Sequence, residues 1–355
     1  DFGDGAFREP YELLLQSLRD EARLNNQGVI MLQRTILRLL VNRLLTEQAF
    51  AANPEMAETP IERPLYILGF PRTGTTLLHN LLSRDPAARW LRLWEGLHPA
   101  PPPESLEDDP RIAQTEEFVA GFEKITPRLA SAHKLNATGP EECLWLIEHT
   151  FADFIFELRA NIPSYSDWLA GHEADAVWYR YYRRQLQMLS WKCRGIHWVC
   201  KAPRHLPGLG GLLSVLPDAR IVQTHRGAEN VLPSICSLCE ITRSAASDVV
   251  DKVAIGAHWH QRLLEIERRS SEVRAAADPA QFLDVQYADL VADPIGTVRR
   301  IYEHHGCDYS DEFENGMKQW LADNRQHKHG AHRYSLEEYG LDAQTVRSDF
   351  AGIEK

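Results

Sequence analysis

A chain of 355 residues with 44% hydrophobic and 25% charged residues has the make-up of a globular protein, long enough for one large α/β domain or for a domain with an appendage. Its 39 basic against 50 acidic residues leave a formal charge of −11, which excludes general attraction to nucleic acid or to an anionic membrane. An anionic ligand must then be held by local basic groups such as Arg72, Lys201 and Arg226.

The first sixty residues read as a helical N-terminal extension, residues 1–60, ahead of the main domain, residues 61–355. Tyr11 to Asn25 and Gly28 to Phe50 are predicted helices, the second with a wide apolar band of Val29, Ile30, Leu32, Ile36, Leu37, Leu40, Val41, Leu44 and Leu45. Arg34, Arg38 and Arg43 interrupt that band, so it is not a membrane span. A helix this apolar needs cover. Packing on the domain is the expectation, with a homodimer or partner contact and membrane-surface binding as the alternatives. Asn53-Pro54 to Pro64 reads as a linker.

Leu65-Tyr66-Ile67-Leu68 is a short apolar run after Pro64 and predicts a buried strand, while Leu77, Leu78, Leu81 and Leu82 share one face of a following helix. Between them lies Gly69-Phe70-Pro71-Arg72-Thr73-Gly74-Thr75-Thr76, a glycine-bounded loop at a helix N-terminus, where unpaired amides and the helix dipole attract an anion. The plain alternative is a strand-to-helix turn. A triphosphatase loop would carry lysine right after the second glycine, but Thr75 stands there and the cation is Arg72, inside the loop. Arg72 offers a fork of donors to a terminal oxyanion, which suits charge neutralisation without a metal.

Further on, Pro99 to Pro103 is a rigid loop, and Pro140 with Glu141 and Glu142 reads as the first turn of a helix bearing Leu144, Ile147, Phe151, Phe154 and Leu158. The two acids there complement a helix N-terminus. Tyr165, Trp168, Trp178, Tyr179, Tyr181, Tyr182 and Trp191 follow, a density more typical of core than of a pocket, although part of it can wall an apolar binding site. Trp198-Val199-Cys200-Lys201 is a second apolar strand ending in lysine. Arg220-Ile221-Val222-Gln223-Thr224 is another, running into His225-Arg226-Gly227. With a helix starting near Ala228, Ser234 lies two turns in, where its hydroxyl can join Arg226 on a second phosphate. Six cysteines, Cys143, Cys193, Cys200, Cys236, Cys239 and Cys307, show no framework spacing. The Cys236-x-x-Cys239 pair, with no second pair nearby, reads as buried thiols rather than a metal or redox site.

These two separated motifs resemble the sulfotransferase family that uses 3′-phosphoadenosine 5′-phosphosulfate (PAPS). The segment Pro71 to Thr76 looks like its 5′-phosphosulfate loop, with Arg72, Thr73, Gly74, Thr75 and Thr76 around the phosphate, and Arg226 with Ser234 looks like its 3′-phosphate pair. Phe282 to Leu290, followed by Asp293-Pro294, is similar to the family's strand that ends in an adenine-packing tyrosine, here Tyr287. The resemblance spans roughly residues 64 to 306 and is closest to the bacterial and tyrosyl-protein branches, which carry arginine in the loop. It implies a P-loop-like α/β fold with a central, mostly parallel sheet flanked by helices. The late loop His327 to Tyr334 resembles the basic, glycine-containing loop that closes the family's cofactor site, which brings Lys328 and Arg333 to the 3′-phosphate. A histidine metal cluster of His327, His329 and His332 fits no standard spacing, and no metal is expected.

For chemistry, the resemblance implies an in-line attack on sulfur by an acceptor hydroxyl, less favourably an amine, with Lys201 and Arg72 stabilising the leaving oxygen. The cytosolic branch has its catalytic histidine two residues after that lysine, where this chain has Pro203. In the tyrosyl-protein branch the base is a glutamate in the place occupied by Trp94-Glu95-Gly96, so Glu95 is the expected general base, with His133 second and His205 a further candidate. The acceptor is expected to be a small or lipid-like molecule, apolar or aromatic. A metal-dependent small-molecule kinase and a non-catalytic nucleotide-binding scaffold are the alternatives. No secretory signal is visible in the sequence as it stands, and the cytoplasm is the expected compartment.

Overall fold

Five parallel strands form one sheet in the order β2-β3-β1-β4-β5, with β1 at Leu65–Leu68, β2 at Ala88–Trp90, β3 at His197–Lys201, β4 at Arg220–His225 and β5 at Phe282–Gln286. The computed structural model describes residues 1–128, 134–324 and 335–351. All four residues of β1 are buried, as a central parallel strand covered on both faces requires. Their alternation divides the core: Leu65 and Ile67 join Leu78, Leu81 and Leu82 on one face, while Tyr66 and Leu68 join Val231, Leu232 and Ile235 on the other. The helix after β1, Thr75–Leu82, and the helix after β4, Ala228–Ala246, therefore lie on opposite faces of the sheet. Adjacent strands whose following helices diverge in this way leave a crevice at their C-terminal ends, the usual ligand position in an open α/β sheet.

Register fixes what borders the crevice. Ile67 of β1 lies beside Lys201 of β3, and Leu68 lies beside Gln223 of β4. The lysine and the His225-Arg226 end of β4 thus flank the loop that leaves β1, one on each side.

The N-terminal segment forms helices Arg8–Asp20 and Asn26–Ala52, the second started by the Asn25 side chain, which accepts from Gly28 N at 2.8 Å. Leu14, Leu18, Leu32, Ile36 and Leu39 share the main core, so the inner face of the extension is covered by the rest of the chain. Two of the three arginines that interrupt the apolar band face inward. Arg43 lies between the rings of Phe7 and Tyr181, 4.1 Å from each centroid, and donates to His149 O and Phe2 O; Arg38 pairs with the buried Glu148. No described helix is long and apolar enough to cross a membrane.

Two sequence expectations need correction, and the reading of the aromatic cluster as core does not. The supposed linker is packed: Pro54–Glu58 is a 3-10 turn, Met56 is fully buried, and Gln187 Nε2 donates to Thr59 O at 3.1 Å. The single helix expected after Pro140 is instead two short helices, Leu144–Ile147 and Ile155–Arg159, broken where Phe151 takes a left-handed φ of 59°. The aromatic cluster is core, with Tyr165, Tyr179 and Tyr182 wholly enclosed.

Between those two short helices sits Asp153, whose Oδ1 accepts from Ile155 N at 2.9 Å while Oδ2 is buried without a partner. Burial pushes its carboxyl up to about 7, against the pull of the Arg204 guanidinium. The folded chain therefore keeps a proton that the unfolded chain releases above a pKa of about 4, so this site's contribution is complete at low pH and is lost as pH rises through 7. Asp153→Asn should raise the melting temperature over wild type most at pH 8 and progressively less towards pH 4; an equal gain at both ends would refute the assignment.

Candidate active site

The loop Gly69 to Gly74 turns through three residues of positive φ, Gly69 at 147°, Arg72 at 72° and Gly74 at 95°. A side chain at Gly69 would bring Cβ to 2.3 Å from Thr224 Oγ1, and one at Gly74 to 2.8 Å from Leu290 and 3.2 Å from the Tyr287 ring. The turn is braced from inside. Thr73 Oγ1 donates to Phe70 O at 2.7 Å and meets Thr224 Oγ1 at 2.6 Å, which in turn donates to Leu68 O at 3.1 Å. Of the expected donors, the Thr73 hydroxyl is thus committed to the loop's own closure. The amides of Gly74, Thr75 and Thr76 have no acceptor among the described residues, as the start of a helix leaves them. Arg72 and Thr76 are exposed beside them.

On the β4 side, Arg226 Nη1 donates to Arg72 O at 3.0 Å and its guanidinium lies 4.3 Å over the Tyr287 ring. The structure therefore brings together three residues that are remote in sequence: Arg226 contacts both Arg72 and Tyr287, and with Gly69, Thr73 and His225 it lines a cleft of about 110 Å³ whose lining includes neither Arg72 nor Tyr287. Ser234 lies in the second turn of Ala228–Ala246, half-buried and outside the lining of that cleft. The ends of β4 and β5 are locked by Asp284, which accepts from Arg274 at 2.6 Å and contacts His225 Nε2 at 2.6 Å. Burial raises its carboxyl, but His225 and Arg274 outweigh that and hold it well below the usual carboxylate range.

On the β3 side, Lys201 is buried and its Nζ donates to Glu142 Oε1 at 2.5 Å. Glu142 reaches it because residues 140 to 143 enter between the ends of β2 and β3, with Glu141 N donating to Leu91 O at 2.8 Å and Cys143 N to Lys201 O at 2.9 Å. The His79 imidazole, in the helix that follows the loop, is buried nearby; burial and the Lys201 ammonium push it down to about 3, so it is neutral at physiological pH. Sequence reasoning assigned Glu142 to a helix terminus and passed over His79. Nothing local distinguishes either residue.

Glu95, the expected base, is enclosed by its surroundings. It has 0% exposure and makes a two-pronged pair with the equally buried Arg89, one contact of which is Nη1 to Oε2 at 3.0 Å, while Oε2 also accepts from Arg92 N at 3.1 Å. That carboxylate caps the helix Leu93–Leu97 and presents no exposed surface. His205 is also enclosed, 3.2 Å from Tyr179 Oη. His133, Lys328 and Arg333 lie outside the described residues.

A parallel sheet with an amide-lined anion loop at its centre, flanked by cations on both sides, defines a P-loop-like α/β enzyme that handles an anionic group. The chain belongs to the sulfotransferase family, whose profile matches residues 64–311. It is 25% identical over 324 residues, 86% of this chain and 79% of the relative, to the omega-hydroxy-beta-dihydromenaquinone-9 sulfotransferases Stf3 of Mycobacterium bovis and Mycobacterium tuberculosis. Its structure is similar to that of sulfotransferase STF1 from Mycobacterium tuberculosis, with 36% identity, a TM-score of 0.89 and coverage of 99% of this chain and 94% of that one. It is likewise similar to STF9 from Mycobacterium avium, with 28% identity, a TM-score of 0.92 and coverage of 99% and 91%. The expected fold and family stand, and the chain is a sulfotransferase enzyme, which sets aside the kinase and scaffold alternatives.

Two substitutions test the local reading. Glu95→Gln should lower stability by on the order of 3 kcal/mol in denaturant titrations, because Arg89 keeps a buried charge without its partner; a wild-type midpoint would overturn the structural role. Gly69→Ala should destabilise the chain through its clash with Thr224, read as a lower denaturation midpoint; an unchanged midpoint would show that the loop can relax around the added methyl.

Proposed function

We propose that this enzyme transfers the sulfuryl group of PAPS to a hydroxyl of an apolar, lipid-like acceptor, with Glu142 rather than Glu95 as the proton acceptor. The observation that carries the proposal is the Lys201–Glu142 pair at the rim of the anion loop. The free amides of Gly74, Thr75 and Thr76 and the exposed Arg72 suit the 5′ end of the donor. Arg226 and Tyr287 suit its 3′-phosphate and adenine, with Ser234 on the adjacent helix and, by family resemblance, Lys328 and Arg333.

In the proposed step the acceptor oxygen attacks sulfur, the bond from sulfur to the 5′-phosphate oxygen breaks, and its electron pair remains on that oxygen. Lys201 and Arg72 neutralise the charge that builds there. The hydroxyl proton passes to the Glu142 carboxylate, so lysine and glutamate serve the two ends of one in-line displacement.

Two observations support an apolar acceptor. Trp145, one turn beyond Glu142, packs with Leu93, Leu97, Leu135, Val119 and Phe122 in an apolar cluster on this side of the sheet. The Stf3 relatives are named for a hydroxylated menaquinone. All six cysteines are unpaired, which suits a reducing compartment, and we assign the enzyme to the cytoplasm.

Glu142→Gln should lower kcat about 100-fold or more while leaving the calorimetric affinity for 3′-phosphoadenosine 5′-phosphate within about 2-fold. Turnover at the wild-type rate would remove Glu142 from its role. Arg226→Ala should weaken that affinity by about 10-fold, the loss of one charge-assisted phosphate contact; an unchanged value would count against the nucleotide assignment.

A further inference from the structure

The outer face of the helix Asn26–Ala52 is uncovered. Ile30, Arg34, Leu37, Val41, Leu44 and Gln48 are exposed and follow one another at intervals of 4, 3, 4, 3 and 4 residues, with Leu37 61% and Val41 50% accessible. Alternation of threes and fours is the seam of a helix that packs against another helix. The inner face of the same helix is already taken by the core, so this seam is a second, independent one.

We infer that the seam is the contact between two copies of this chain, packed antiparallel across a two-fold axis. Arg34 decides the direction. A parallel pair would set Arg34 against its own copy inside an apolar layer, whereas the antiparallel pair opposes Leu37 to Val41 of the partner subunit and Arg34 to Leu44 of the partner subunit. That second register leaves the guanidinium one turn from Gln48 of the partner subunit.

Charge favours a second copy over a lipid surface. No carboxylate is exposed on this helix, whose single Glu47 is half-buried and paired with Arg184, so two chains of net charge −11 approach here with the least repulsion. An anionic bilayer would meet the same −11 with Arg34 as the one exposed cation on the helix. A helix about 40 Å long covers roughly 400 Å² per copy, about half of a standard interface, and the exposed Val249 and Val253, next to the strand-like bridge between Leu24 and Ser247 at the start of the helix, extend it. That size points to a reversible dimer at micromolar concentration.

Sedimentation velocity of the full chain from about 1 to 100 µM should show the mass doubling, and Leu37→Glu with Val41→Glu should stay monomeric throughout at an unchanged sulfuryl-transfer rate. If that pair misfolds, Leu37→Cys with Val41→Cys treated with a short bismaleimide should link two copies where the wild type does not. A wild-type monomer at the highest concentration, a dimer that survives the glutamates, no linkage by the bismaleimide, or a monomer that floats with phosphatidylcholine or phosphatidylglycerol vesicles would overturn the inference.

Discussion

Strand β1 ends between two parallel neighbours, and the helices that follow β1 and β4 lie on opposite faces of the sheet, so the loop leaving β1 borders an opening that no side chain of its own fills. The remaining features of the site follow from that geometry. Gly69 must pass within van der Waals distance of Thr224, and Gly74 must start a helix against Tyr287 and Leu290. Both are closer than a Cβ allows. The backbone amides at the head of the helix are consequently left without partners among the described residues, two residues beyond the Arg72 carbonyl that Arg226 reaches.

The two sides of the opening are built differently. On the β4 side, Arg226 rests on an aromatic ring and a carbonyl, neither of which carries a formal charge to pair with it. On the β3 side, Lys201 is buried and needs a carboxylate, and Glu142 is delivered by a segment inserted between strand ends. A second buried pair, Arg89 with Glu95, anchors the short helix next to that segment. Two glutamates from neighbouring segments thus carry different duties: one is enclosed and holds the scaffold, the other stands at the rim beside the lysine.

The N-terminal helices show the same division of labour along one element. Arg38 and Arg43 are drawn into the core by Glu148 and by the Phe7 and Tyr181 rings, which explains cations inside an apolar band. Arg34, on the opposite side, stays in solvent with the second apolar seam.

Much of this was legible in the chain itself. Strands β1, β3 and β4 are short apolar runs punctuated by proline, glycine or charge, β5 is legible through the family resemblance, and the loop after β1 announces itself by two glycines between a strand and a helix. Strand β2 was not legible, because Ala88-Arg89-Trp90 carries no apolar run, and it is a strand only because β3 offers it an edge. Nor was the break at Phe151, where a continuous helical pattern yields to packing. The sequence by itself determined the loop, the strand-end cations and the family they belong to, since these depend on neighbours a few residues apart. Only the tertiary structure decided which carboxylate meets Lys201, because Glu142 and Lys201 are separated by 59 positions and become partners through the backbone pairing of distant segments, while Glu95, as acidic and nearer the loop in sequence, is claimed by Arg89.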